Sequence, residues 1–266
     1  MKAGRSLGLL PAICLLAYCS LVPDALADEA GVFGKKDEGG TAALMGMFYD
    51  LTQTQDGKPT GVDTGNYSQV LIDFVTHDWN EAELNRYYRA TKPLFTTQIW
   101  LPTMPTLAAP RAFGVQKRAP RAVWVIHYKG QVVPPEDGTY RFVGFGDDVL
   151  IVAVNEKVVL ISNWAYLNFK IHAGTPAGDC LKAGLWFDGQ ASKPIDLDVL
   201  CCDNGDPGGV CAAFVLIEKK GETYAMNNGH PILPIFQLAP YNTPDLPPGR
   251  YRVKFTRTPA LWKAFQ

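Results

Sequence analysis

Two adjacent carboxylates inside an otherwise apolar stretch are the residues of this chain best placed to do chemistry. Asp147 and Asp148 follow Gly146 and lead directly into Val149 to Val154, a run of apolar side chains. A carboxylate pair at such a corner has two competing uses. It can hold a hard cation, which takes six to eight oxygen ligands at about 2.3–2.6 Å. It can equally cap the turn by accepting backbone N–H groups. A second oxygen-rich loop, Asp203-Asn204-Gly205-Asp206, lies downstream, although it lacks the spaced ligands and terminal Glu of a helix-loop-helix calcium site. Trp164, Tyr166 and Trp186 offer flat faces that would suit the apolar side of a pyranose ring, or a sandwich core.

Other chemistries find less support. Met1 to Ala27 has the form of a cleaved export signal: Lys2 and Arg5, an apolar run from Leu7 to Val22, and the small-residue end Ala25-Leu26-Ala27. Tyr18 precedes Cys19 where a lipoprotein signal wants a small residue. Cys14 and Cys19 would leave with this segment. Cys180, Cys201, Cys202 and Cys211 remain, an even number in an exported chain, which favours two disulfides. Adjacent cysteines pair only with strain, so the expected pairing joins Cys180 to Cys201 or Cys202 and the other to Cys211. A zinc site of these thiols with His172 lacks any Cys-x-x-Cys pair. A catalytic Cys with His127 or His230 is disfavoured, since exported thiols oxidise. Glu136, Asp137, Asp196 and Asp198 invite a two-carboxylate glycosidase reading, but they fall on turns and an exposed strand face. No Gly-x-Ser-x-Gly, phosphate loop or dinucleotide fingerprint is present.

The elements that must position these groups are mostly strands. Thr139, Arg141, Val143 and Phe145 alternate with Tyr140, Phe142 and Gly144 up to the acidic corner. Val149 to Val154 is apolar on both faces, as a strand between two layers would be. Asn155-Glu156 is a hairpin turn and Lys157 to Ile161 the returning strand. Leu44 to Leu51, Ala122 to Tyr128, Ile195 to Leu200, Ala212 to Glu218 and Arg250 to Thr256 also read as strands, the last as a basic edge. Val70 to Val75 reads as a short strand. Asp78 to Arg89 reads as a helix, because Asn80 and Glu83 have capping-box spacing. The sum is a mainly β protein, an antiparallel β-sandwich with one short helix.

The run Gly138-Thr-Tyr-Arg-Phe, then Gly146-Asp147-Asp148, the apolar strand, Asn155 and Trp164 resembles the core of the protective-antigen-type domain. This lectin-like, flocculin-related β-sandwich occurs in bacterial toxins, glycosidases and fungal adhesins. The resemblance covers roughly residues 120 to 165 and extends to Phe255 by pattern alone. It implies that Asp147 and Asp148 hold a calcium ion that also takes a sugar's hydroxyls, across a cis peptide. It further implies an Asn from a second loop. Asn204 is assigned that role by position, with Asp203 or Asp206 as alternatives. Trp164 and Trp186 are the candidate sugar-contacting aromatics.

Composition sets the outer bounds. The chain has 266 residues, 47% of them hydrophobic, and a formal net charge of −1, enough to bury a large core. Lys and Arg form no stripe, which argues against a nucleic-acid partner. No later segment has the roughly twenty apolar residues a transmembrane helix needs. Residues 28 to 43 read as a flexible leader and 44 to 266 as a single domain. The expected protein is secreted or periplasmic and not an enzyme. It is an exported carbohydrate-binding or adhesion domain whose partner is a glycan or cell-surface carbohydrate. The alternative is a structural or protein-interaction module of a cell-envelope or secreted assembly.

Overall fold

The computed structural model describes residues 29–36, 43–120, 123–164, 169–178, 180–206, 208–240, 253–256 and 260–265. The export signal, Tyr166, Pro207 and residues 250–252 of the expected edge strand lie outside them.

In chain order the first elements are α1 (Glu29–Phe33), β1 (Leu44–Asp50), α2 (Tyr67–Thr76), a single 3-10 turn (Glu81–Glu83), β2 (Tyr88–Arg89), β3 (Leu94–Thr96), β4 (Trp100–Pro105) and α3 (Ala108–Ala112). The central strands follow: β5 (Trp124–Val133), β6 (Gly138–Asp147), β7 (Val149–Val154) and β8 (Lys157–Asn163). Then come β9 (Thr175–Pro176), β10 (Lys182–Ala183), β11 (Phe187–Gly189), β12 (Ile195–Asp203), β13 (Val210–Lys219), β14 (Met226–Asn227), β15 (His230–Pro231) and β16 (Lys263–Phe265). Among the described residues no helix is long and apolar enough to cross a membrane.

Two antiparallel sheets face each other. One runs β2-β1-β5-β12-β7-β8, with β3 and β16 added at β1 and β5; the other runs β4-β13-β6-β10-β9, with β11 also on β6. Strand alternation sorts the side chains into layers. Leu150, Val152 and Val154 of β7 join Tyr140 and Phe142 of β6 and Val215 of β13 between the sheets. Val149, Ile151 and Ala153 point the other way, under α2. Val143 and Phe145 cover the outer face of the second sheet with Phe214 and Leu233. The apolar run of β7 is therefore buried on both faces, as its composition requires. Asn155 and Glu156 take left-handed φ values of 49° and 67° at the β7–β8 hairpin.

Four local expectations are corrected. Val70 to Val75 is part of helix α2, because Tyr67, Val70, Leu71, Phe74 and Val75 are spaced to form one buried helical stripe. The helix expected over 78–89 is only the 3-10 turn. Asn80 does cap it, accepting from Ala82 N at 3.1 Å, but Asp78 and Trp79 just before it have left-handed φ of 54° and 53°, and Trp79 is buried against Phe74 and His127. The described part of the expected leader is docked: Phe33 is in the inter-sheet core and its carbonyl accepts from the Tyr128 hydroxyl at 2.9 Å. Residues 253–255 form no strand, and Thr256 makes only an isolated parallel bridge to Pro234.

Candidate functional site

Asp147 and Asp148 stand where the chain passes from one sheet to the other. Asp147, the last residue of β6, pairs with Ala212 of the second sheet. Val149 opens β7 by pairing with Cys202 and Asn163 of the first. The crossing is close, and glycine makes it feasible. A Cβ on Gly146 would lie 2.3 Å from the Leu150 nitrogen, and one on Gly144 would lie 2.6 Å from Leu150 Cδ2. The Asp147–Asp148 peptide is cis, the geometry the family resemblance implies.

Three separate segments close around this corner. Asp148 N donates to the Cys202 carbonyl at 3.1 Å, and Asp148 Oδ2 accepts from Asn204 N at 2.8 Å. The loop that follows folds on its own side chains: Asp203 Oδ1 accepts from Gly205 N at 2.7 Å and Asn204 Oδ1 from Asp206 N at 2.9 Å, successive Asx turns. From the end of β4, Thr106 N donates to the Gly209 carbonyl and its hydroxyl to the Asp206 carbonyl, each at 3.2 Å. The Trp124 indole in turn donates to the Thr106 carbonyl at 3.0 Å. Past β8, Trp164 Nε1 donates to Asp147 Oδ1 at 2.6 Å. Together they line an open cavity of about 440 Å³ with Thr106, Asp147, Asp148, Trp164, Asp203, Asn204 and Asp206, beside Gly208, Gly209 and Val210. That lining has four carboxyl groups and, among the described residues, no Lys or Arg.

The concentration of negative charge is felt at the most buried of these groups. Asp147, Asp148 and Asp203 are 9%, 5% and 2% exposed. Burial pushes the Asp203 carboxyl up to about 8. The Gly205 N–H pulls it down, and the neighbouring Asp148, Asp147 and Asp206 raise it further. Burial likewise holds the Cys202 and Cys211 thiols well above their ordinary value, reinforced by Asp148 at Cys202 and by Asp203 at both.

The structure brings Asp147, Asp148, Asn204 and Trp164 into one cavity. Trp186 is elsewhere. It sits beside β6 under the Arg141 guanidinium, 4.4 Å from the ring centroid, six residues before Asp147 and 39% exposed. The expected disulfides are absent among the described residues: Cys180, Cys201, Cys202 and Cys211 are all thiols. Burial separates Cys180 from both of its expected partners, since it is exposed while Cys201, Cys202 and Cys211 are buried. Cys201 points between the sheets, as does Cys211, while Cys202 points under α2. Cys180 is exposed on the β9–β10 turn. Among the described residues no group of three or more His, Cys, Asp and Glu side chains is placed to hold a metal. A cation in this cavity would therefore draw on the Asp147 and Asp148 carboxylates, completed by amide and carbonyl oxygens.

The four carboxylates of the glycosidase reading do not converge on one site. Glu136 pairs with Lys219 at 2.6 Å, and Asp137 accepts from Ala191 N. Asp196 and Asp198 line a different cavity on the outer face of β12, where Asp198 holds the buried His127 at 2.8 Å. Sequence reasoning missed Thr106 altogether. It lies about a hundred residues before the loop it clamps, in a stretch whose only signal is its prolines.

No family model matches the chain, and no curated protein matches it. Among solved structures it is similar to the PA14 sugar-binding domain from an RTX adhesin, at 13% identity over 70% of this chain and 96% of that one, with a TM-score of 0.41. The PA14 domain of the MpAFP antifreeze protein is 14% identical over 71% of this chain and 90% of its own, with a TM-score of 0.40. The A domain of epithelial adhesin 6 from Candida glabrata, solved with Galβ1-3GlcNAc, is 11% identical over 71% and 85%, with a TM-score of 0.43. At these values they resemble this chain in outline only, and what the cavity does is read from its own side chains.

Proposed function

We propose that the protein is an exported carbohydrate-binding or adhesion domain, and a binder rather than an enzyme, that takes a glycan at the Asp147–Asp148–Asn204 cavity with calcium as the bridging ion. One observation carries this reading: the two aspartates, the Asn204 loop and Trp164 come from three separated segments and converge on one open polar cavity at an end of the sandwich. The donor chemistry fits a hard cation. Two carboxylates, a side-chain amide and backbone carbonyls are the oxygen types such an ion takes, and the cavity's negative charge favours it. Calcium, when bound, supplies a centre that accepts hydroxyl oxygens. The protein's part is to hold Asp147 through Trp164 and Asp148 through Asn204 N, and to leave the cavity open for a ring to approach.

A thermal melt with calcium and with chelator, beside an Asp148→Asn variant, tests the ion. Calcium at a hundred times its dissociation constant should add about 2.7 kcal/mol to the wild type and nothing to the variant. Equal melts under all conditions would leave the aspartates as turn caps.

A second reading, a protein-interaction module of an envelope assembly, is favoured by the adjacent Leu185 and Trp186, of which Leu185 is 52% exposed. Co-purification of a partner that is lost in Leu185→Ser, with no response to sugars, would select it.

A further inference from the structure

Building on that reading of the cavity, we propose that Trp164 is a positioning residue for Asp147, setting the affinity for the cation, and is not the platform on which a sugar ring stacks. Its indole nitrogen donates to Asp147 Oδ1 at 2.6 Å. An indole N–H is a donor only, so it engages a carboxylate oxygen without competing for the cation. The ring is fixed from a second side. Phe145, two residues before Asp147 on β6, meets it edge-on at 6.2 Å and 88° between planes, and Phe145 itself packs on Phe214 of β13 at 5.7 Å. Trp164 also leaves β8 beside the corner it serves, because the preceding Asn163 pairs with Val149. Turning the indole face toward a ligand would break the hydrogen bond and the edge contact together. The side chain is thus committed to the carboxylate's orientation, as partners behind a ligand group commonly are.

Titrating calcium into the full chain and into Trp164→Phe, which keeps an aromatic ring and loses the donor, tests this role. Glycan binding is then measured at saturating calcium. A positioning role predicts calcium binding weakened about tenfold with glycan affinity at saturating calcium changed less than twofold. Unchanged calcium affinity with weakened glycan binding would overturn the role and make Trp164 a stacking platform. A wild type that binds no calcium overturns the reading of the cavity and this role with it, whereas a wild type and a variant that bind calcium equally well overturn this role alone. The wild type provides a check that needs no folded variant. Its Trp164 indole N–H proton resonance should sit downfield, as for a donor to carboxylate, and move on adding calcium. A resonance that ignores calcium and moves only with glycan contradicts the proposal.

Discussion

Replacing Asp203 by Asn should make the calcium-free protein more stable at neutral pH and leave it unchanged in acid. Folding raises this carboxyl from its ordinary 3.8 to about 8, chiefly by burial and then by Asp148, Asp147 and Asp206. Between those values the folded chain keeps a proton that the unfolded chain releases. Stability is therefore fully present below about pH 4 and is lost as pH rises toward 8. One proton is worth about 1.4 kcal/mol per pH unit, so roughly three units between pH 4 and 7 set a ceiling of about 4 kcal/mol. Relaxation of the site brings the expected loss to about 2–4 kcal/mol. The side-chain amide introduced by Asp203→Asn cannot ionise, and its oxygen still accepts from Gly205 N. In a chain of this size the difference is about 5–10 °C in Tm at pH 7, read by melts of both proteins in chelator from pH 4 to 8. Calcium should narrow it by neutralising the neighbouring carboxylates. Parallel stability profiles for the two proteins would refute the assignment of Asp203 as a buried, charge-crowded acid.

Three further outcomes follow from the same geometry. Gly146→Ala should cost about 3 kcal/mol or prevent folding, because its Cβ meets the Leu150 and Val149 backbone at 2.3 and 2.6 Å; a urea midpoint within error of wild type would contradict the close crossing. Thr106→Val removes the hydroxyl that donates to the Asp206 carbonyl and should lower stability by about 1 kcal/mol while weakening calcium binding severalfold, measured by calorimetry. Alkylation of the folded chain should modify Cys180 first and spare Cys201, Cys202 and Cys211, whose burial raises their thiols, Cys201 to about 12. Four cysteines that resist alkylation even after unfolding would restore the two-disulfide expectation.

The central strands were legible because each carries period-2 alternation or a doubly buried apolar run, and the corner between them because glycine and two carboxylates interrupt that pattern. Val70 to Val75 misled because a short, mostly apolar run fits a strand or a buried helix, and Tyr67, outside the run, extends the helical period over a further turn. The cysteine pairing failed for a related reason. Spacing along the chain does not reveal that Cys180 is exposed while Cys201 and Cys202 are buried, on opposite faces of β12. Asp147, Asp148 and the 203–206 loop were recognisable by residue type. Thr106, by contrast, joins the site through backbone groups and one hydroxyl across the fold, which leaves no mark in sequence. Trp186 and Trp164 were equivalent as aromatic side chains able to face a sugar ring. Their places in the fold separate them, Trp164 at Asp147 and Trp186 under the Arg141 guanidinium.

The most direct test is binding of the purified chain to an immobilised panel of mono- and disaccharides, with calcium and with chelator, beside Asp148→Asn. At least one glycan should be retained with calcium and released by chelator, and the variant, still folded by circular dichroism, should retain none. Glycan retention that persists in chelator or in Asp148→Asn would place the sugar site elsewhere on the sandwich. No retention of any glycan by the wild type would contradict the carbohydrate-binding function itself.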